Sequence, residues 1–228
     1  MGAVNSLNTP LASSSSARRR SWALVAANIA VKTTAIALSL YPLAARDRPQ
    51  FHGKAMRPRA IAYPLIPLAV PITWRRRGRP APYPHAADLL LSLPLILDAG
   101  ANTFDVYRRV KNFDLVVHTA NALFGVTAFG AALSPLMPNR SAAAALATSL
   151  GISGAALWEV AEYAALKTGE TGLELSYENT MLDIVTSAVG AAAGGIITAV
   201  VLWPRRAEVG ALFGWRLLER PPRAPRRP

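Results

Sequence analysis

Residues 142–166 form a run of 25 residues with only two charged side chains, Glu159 and Glu162, both inside the heptapeptide LWEVAEY. About 20 such residues, each rising 1.5 Å, are enough for a helix to cross the hydrocarbon core of a bilayer. Lipid offers no water to unpaired peptide groups, so the backbone must close its own hydrogen bonds and a helix is the available solution. The two glutamates then need partners at membrane depth. That requirement constrains the rest of the chain.

Comparable apolar runs cover residues 22–41, 86–104, 115–137 and 181–203. Hydrophobic residues make up 52% of the 228 and charged residues 17%, and the apolar ones are gathered in runs instead of amphipathic stripes, which points to a polytopic membrane protein. Residues 60–74 are shorter and carry Pro64, Pro67 and Pro71, so they read as a kinked second span or a re-entrant segment. The expected fold is an all-α transmembrane bundle of about six spans, or five if residues 60–74 do not cross. Trp22, Tyr41, Trp74 and Trp203 fall near span ends, where aromatic rings favour the headgroup region.

The expected organisation is a disordered basic tail over residues 1–20, a transmembrane domain over 21–204 and a basic, proline-rich cytoplasmic tail over 205–228, with an interfacial helix around 209–218. Arg18 to Arg20 followed by an apolar run resemble a signal peptide, and RRRSW a twin-arginine signal, but the run is longer than an ordinary h-region and leads into further membrane segments. An uncleaved first span is the preferred reading. Lys32, in the middle of that span, is either a snorkelling or bundle-facing lysine or a counter-charge for buried acids.

The formal charge of +12 could suggest nucleic acid, yet the arginines sit in short clusters between and after the apolar runs, as the positive-inside rule expects. With six spans, 15 basic residues lie on the cytoplasmic side and 9 on the other; with five, 17 and 7. Both arrangements put the carboxyl tail in the cytoplasm. The bilayer of the cell membrane, not nucleic acid, is the expected partner. The chain has no cysteine, which excludes disulfides, thiolate metal sites and cysteine nucleophiles.

Four segments bring polar residues toward the extracytoplasmic end. Asp98, Asn102 and Asp105 share a helical face by spacing, as do Asp114, His118 and Asn121; Glu159 pairs with Glu162, and Asn179 with Asp183 if its helix starts early enough. A charge inside the membrane costs about 2.5–3.5 kcal/mol on the lenient insertion scale, so these groups should be paired, protonated or metal-bound. Three readings stand. A divalent metal held by Glu159, Glu162, His118 and Asp183, with Asp114 orienting the imidazole, would activate water toward a lipid-linked substrate. A proton or ion carrier would use the same carboxylates beside the histidine, although transporter sites lie nearer the midplane. A structural network would only hold the helices together. No HExxH motif is present, and the ExxH pairs of di-iron bundles are replaced by ExxE.

His52 and His85 fall in expected loops and read as solvated, while Ser149, Ser153 and Ser187 lack a nucleophile motif. Arg108, Arg109 and Lys111 beside the cluster are either a solvated turn or a seat for a lipid phosphate. Gly190, Gly194 and Gly195 form a small-xxx-small pattern that allows close helix contact.

The order NFDLVVHTANALFG, ALWEVAEY, SYENTMLDIVTSAVGA resembles the YjdF-like group of uncharacterised bacterial inner-membrane proteins. That pattern has an Asp-x-x-x-His helix, a Trp-Glu-x-x-Glu helix and an Asp-Thr-x-x-Asp opening of the last span. The resemblance covers about residues 88–195 and implies Asp114, His118, Trp158, Glu159, Glu162, Thr180 and Asp183 as site residues. Asn179 stands where the pattern has Asp, which removes one possible ligand. The arrangement is more remotely similar to VanZ-like membrane proteins. Neither resemblance brings a reaction with it.

Overall fold

The computed structural model describes residues 10–76, 78–79, 83–169, 175–207 and 209, with side chains described from residue 22 onward. Its helices are α1 (Pro10–Ala44), α2 (Met56–Ala62), α3 (Ala69–Arg76), α4 (His85–Thr103), α5 (Val106–Arg109), α6 (Phe113–Leu133), α7 (Arg140–Lys167) and α8 (Tyr177–Ile197). Four stretches are long and apolar enough to cross a membrane: Trp22–Ala44, Phe113–Leu136, Arg140–Lys167 and Tyr177–Arg205.

Local chemistry sets several helix boundaries. Asn139 accepts the Ala142 N–H at 2.8 Å to start α7, and Ser176 accepts the Asn179 N–H at 3.1 Å to start α8. Inside the helices, Thr119, Thr127 and Ser134 return their hydroxyls to the carbonyl four residues back, at 2.7–2.8 Å. A hydroxyl bonded in this way needs no water. α1 begins at Pro10, where a residue without an N–H suits the first helical turn, and runs to Ala44, so the helix takes in residues 10–20 of the expected tail. The interfacial helix expected around residues 209–218 lies, apart from Val209, outside the described residues.

α6 and α8 pack face to face, with α7 against both, while α1 pairs with α4 and joins the rest through α4 against α6. Small residues set the α6–α8 spacing. A β-carbon at Gly190 would collide with the Thr119 carbonyl, and one at Gly194 would lie 2.8 Å from Val126 Cβ. In lipid, where apolar burial gives no net drive, such close backbone contact is what favours association. Val126, Ala147 and Ala191 form the buried centre of this half.

Residues 56–76 are helical throughout, passing from α2 through a 3₁₀ segment (Tyr63–Leu68) that takes up the closely spaced prolines, into α3. Arg59 in α2 meets Asp98 near the end of α4, at 3.0 Å. At the other extreme, the Trp74 ring lies 5.2 Å from Tyr83, which packs on His85, the first residue of α4. The segment therefore runs antiparallel to α4, from the level of Asp98 to that of His85.

Outward faces remain apolar. Leu157 is 69% exposed, Val160 63%, Val189 59% and Ile196 65%. Continuous apolar surface of this extent is characteristic of contact with lipid.

Candidate functional site

The polar residues separate into three centres. The first is built on Arg59, whose Nη1 lies 3.0 and 3.2 Å from the two Asp98 carboxylate oxygens and whose Nη2 lies 2.8 Å from Glu162 Oε1. Tyr63 and Tyr107 donate to Asp98 at 2.6 and 2.7 Å, and Asn102 donates to it at 3.3 Å. Trp158 donates its indole N–H to Glu162 at 3.1 Å, and the guanidinium lies over the Trp158 ring, 5.2 Å from its centre. One cation thus neutralises two carboxylates and ties α2 to α4 and α7.

The second centre lies among α6, α7 and α8. His118 Nε2 stands 3.6 Å from Asp114 and 3.9 Å from Asp183, while its Nδ1 is 3.3 Å from Ser187 Oγ and 4.0 Å from Glu159. Ligand atoms of Asp114, His118 and Asp183 all fall within 4.8 Å of one another. Asn179 donates to Asp183 Oδ2 at 2.6 Å, because α8 begins early enough to place them one turn apart. Glu159 is only 6% exposed, and among the described residues neither of its carboxylate oxygens has a hydrogen-bond partner within 3.5 Å, Thr180 acting on it from further away; Asp183 Oδ1 is likewise buried without a close partner.

The third centre is at the opposite end of α4. Asp88, fully buried, pairs with Lys32 at 2.6 Å and accepts a hydrogen bond from the Tyr83 hydroxyl. Lys32 is thus a bundle-facing lysine with its own acid and no contact to the other two centres. His85 was expected in a solvated loop, but it opens α4, its ring 4.7 Å from that of Tyr83 and its Nδ1 buried. A residue at a helix start beneath an aromatic ring loses the water that a loop would give it.

The structure corrects two further expectations. Asp105 does not join Asp98 and Asn102: α4 ends at Thr103, the chain turns through left-handed backbone at Asp105 (φ 59), and the carboxylate pairs with Arg108 at 2.6 and 2.9 Å. Helical spacing from Asp98 does not extend past that end. The Arg108 hydrogen bond holds the Asp105 carboxyl below its ordinary range. Glu162 was expected beside Glu159 as a ligand, but it belongs to Arg59. Asp98 and Asn102 also go to the first centre, and Asn121 reaches neither, its Oδ1 buried without a partner.

A cavity of about 460 Å³ lies between the first two centres. Lys54, Arg59, Asp98, Tyr107, Asp114 and His118 line its polar end. Its other end is apolar, formed by Leu95, Val126, Phe129 and Leu150 with Gly125, Gly151 and Gly154. Asp114 and His118 therefore face both the cavity and the cluster behind it.

Sequence reasoning missed Arg59, Tyr63, Tyr107 and Asp88 as members of these centres. Arg59 counted there only as a loop charge, because its proline-rich surroundings suppress a helical pattern. Its signal was a basic residue directly preceding an apolar segment opposite unpaired acids.

A family model described as "Predicted membrane protein (DUF2238)" matches residues 26–204. No curated protein and no solved structure matches the chain.

Proposed function

The chain belongs to that DUF2238 family of predicted membrane proteins, uncharacterised as its YjdF-like motifs imply, and from this premise we propose that it holds one divalent cation at Asp114, His118 and Asp183, at the wall of a chamber for a membrane-resident ligand. The observation that carries the reading is the convergence of these three side chains beside Glu159, a buried carboxylate with no hydrogen-bond partner within 3.5 Å among the described residues. Three acids and one imidazole at membrane depth carry a large uncompensated charge, and the nearest fixed cation, Arg59, is already shared by Asp98 and Glu162. A divalent ion would offset two of those charges.

The donor set is carboxylate-rich with one nitrogen, which suits Mg²⁺, Mn²⁺, Fe²⁺ or Zn²⁺. Ser187 beside Nδ1 supports the tautomer that leaves Nε2 toward the two aspartates, as an outer-shell partner does for a ligating histidine. A cation there would polarise a phosphoryl or carbonyl oxygen, or lower the pKa of a bound water, so metal-assisted hydrolysis of a lipid-linked compound is the matching reaction class. A serine-nucleophile reading of Ser187, His118 and an aspartate fits less well. Ser187 lies inside α8, where neighbouring N–H groups are committed to the helix and unable to stabilise an oxyanion.

A proton-carrying role is the second reading, favoured by the unpartnered Glu159. Elemental analysis of chelator-free purified protein separates the two. The cation reading expects about one divalent metal per chain, lost in His118→Ala and Asp183→Asn but kept in Glu162→Gln. Folded wild-type protein that neither contains nor takes up Mn²⁺ or Zn²⁺ would overturn it and leave the proton.

Charge bias, with the helical path of residues 56–76 beside α4, supports six spans with both termini cytoplasmic and the cation near the extracytoplasmic face.

A further inference from the structure

We propose that the cavity seats a single-chain amphiphile with an acidic, phosphate-type headgroup, its chain beside Gly125 and Gly154 and its head beneath Lys54. This deepens the reading of the cavity as a ligand chamber and rests on it, but it does not require the cation to be bound.

The cavity as a whole has the depth of a lipid chain. Its lining on α6 runs from His118, at the polar end, to Phe129, at the apolar end, eleven helical steps or about 16 Å at 1.5 Å per residue. One leaflet of hydrocarbon is about 15 Å deep. Phe129 and Leu150, both 42% exposed, line the cavity and also face outward, so the deep end is accessible from surrounding lipid.

Among the glycines of α6, α7 and α8, two kinds are present. Gly130, Gly151, Gly190, Gly194 and Gly195 have no room for a β-carbon, because a neighbouring helix occupies the space. Gly125 and Gly154 line the cavity, and a β-carbon at either would meet nothing within 4 Å. Helix packing does not require glycine at these two positions. Glycine inside a helix is destabilising by roughly 0.5–1 kcal/mol relative to alanine, so the space left open there needs another reason. A ligand chain supplies one.

At the polar end, where Asp98, Asp114 and Glu162 are the lining acids, Lys54 is the cation available to an anion. Arg59 and Arg108 on its rim are ion-paired with carboxylates; Lys54 has no such close pair among the described residues, its ammonium lying 5.4 Å from the Tyr107 ring and feeling Asp105 and Asp98 only from further away. Burial lowers its pKa, which reflects a partly desolvated charge that an anion would relieve. Of the nine basic residues assigned to this face, Lys54, Arg59 and Arg108 line the cavity itself, and basic side chains at a membrane face attract anionic headgroups.

The test is equilibrium binding of radiolabelled hexadecyl phosphate to EDTA-treated protein in phosphatidylcholine nanodiscs. Saturable binding is expected that neither hexadecanol nor inorganic phosphate displaces. Lys54→Gln should weaken it about tenfold, the loss expected for one charge-assisted hydrogen bond. Gly125→Leu and Gly154→Leu should weaken it at least as much while the melting temperature holds or rises and Mn²⁺ uptake persists. Equal displacement by hexadecanol would remove the acidic head, and displacement by inorganic phosphate would reduce the site to one for a free anion. Wild-type affinity in all three variants would overturn the placement. Lipid-phosphate binding by protein unable to take up Mn²⁺ would support this inference and eliminate the cation.

Discussion

Arg59 shows most clearly how single residues hold this bundle together. Its guanidinium meets Asp98 through one terminal nitrogen and Glu162 through the other, with Tyr63, Tyr107 and Trp158 completing the hydrogen bonds of those acids. Arginine suits the position because its planar fork can serve two carboxylates at once; lysine presents a single point charge. Removing one partner of a buried ion pair leaves the others charged and uncompensated, at a cost of about 3–5 kcal/mol. Arg59→Leu should therefore lower unfolding free energy in micelles by about that amount, with Arg59→Lys in between. A loss below about 0.5 kcal/mol would mean that the pair is solvated and carries little.

At the scale of elements, the decisive segment is residues 56–76. Its 21 residues form a helical path of about 30 Å, with Arg59 beside the end of α4 and Trp74 beside its start. That is the thickness of the hydrocarbon core. Positions 52 and 76, both exposed, should therefore lie on opposite sides of the membrane. In a chain without native cysteine, an impermeant thiol reagent applied from outside should label His52→Cys and spare Arg76→Cys. Equal labelling, or equal protection, would make the segment re-entrant. The longest helices were legible in the sequence because bilayer length and low charge are strong signals, and the i, i+4 pairing of Asn179 with Asp183 followed from helical period alone. The period misplaced Asp105 because it continues on paper past the point where α4 stops. Proline spacing concealed α2 and α3, since it removes the i→i−4 bonds by which a helix is recognised. Which acid meets which base depends on helix packing, and so neither Arg59 with Glu162 nor Lys32 with Asp88 could be read from one dimension.

In the whole molecule, an apolar shell encloses three polar centres, each treated differently by the fold. Lys32 neutralises Asp88 at one end of α4, and Arg59 neutralises two acids at the other. Among the described residues, only the centre around His118 combines three carboxylates with no fixed cation within ion-pair distance, and it adjoins the cavity. That contrast with the paired acids elsewhere is the ground for proposing a ligand there. The most direct test is pulsed electron paramagnetic resonance of Mn²⁺-loaded protein carrying ¹⁵N-labelled histidine. The account predicts a hyperfine coupling from one directly bound imidazole nitrogen, present in Glu162→Gln and abolished in His118→Asn. Bound Mn²⁺ with no histidine coupling, or a coupling that survives His118→Asn, would contradict it.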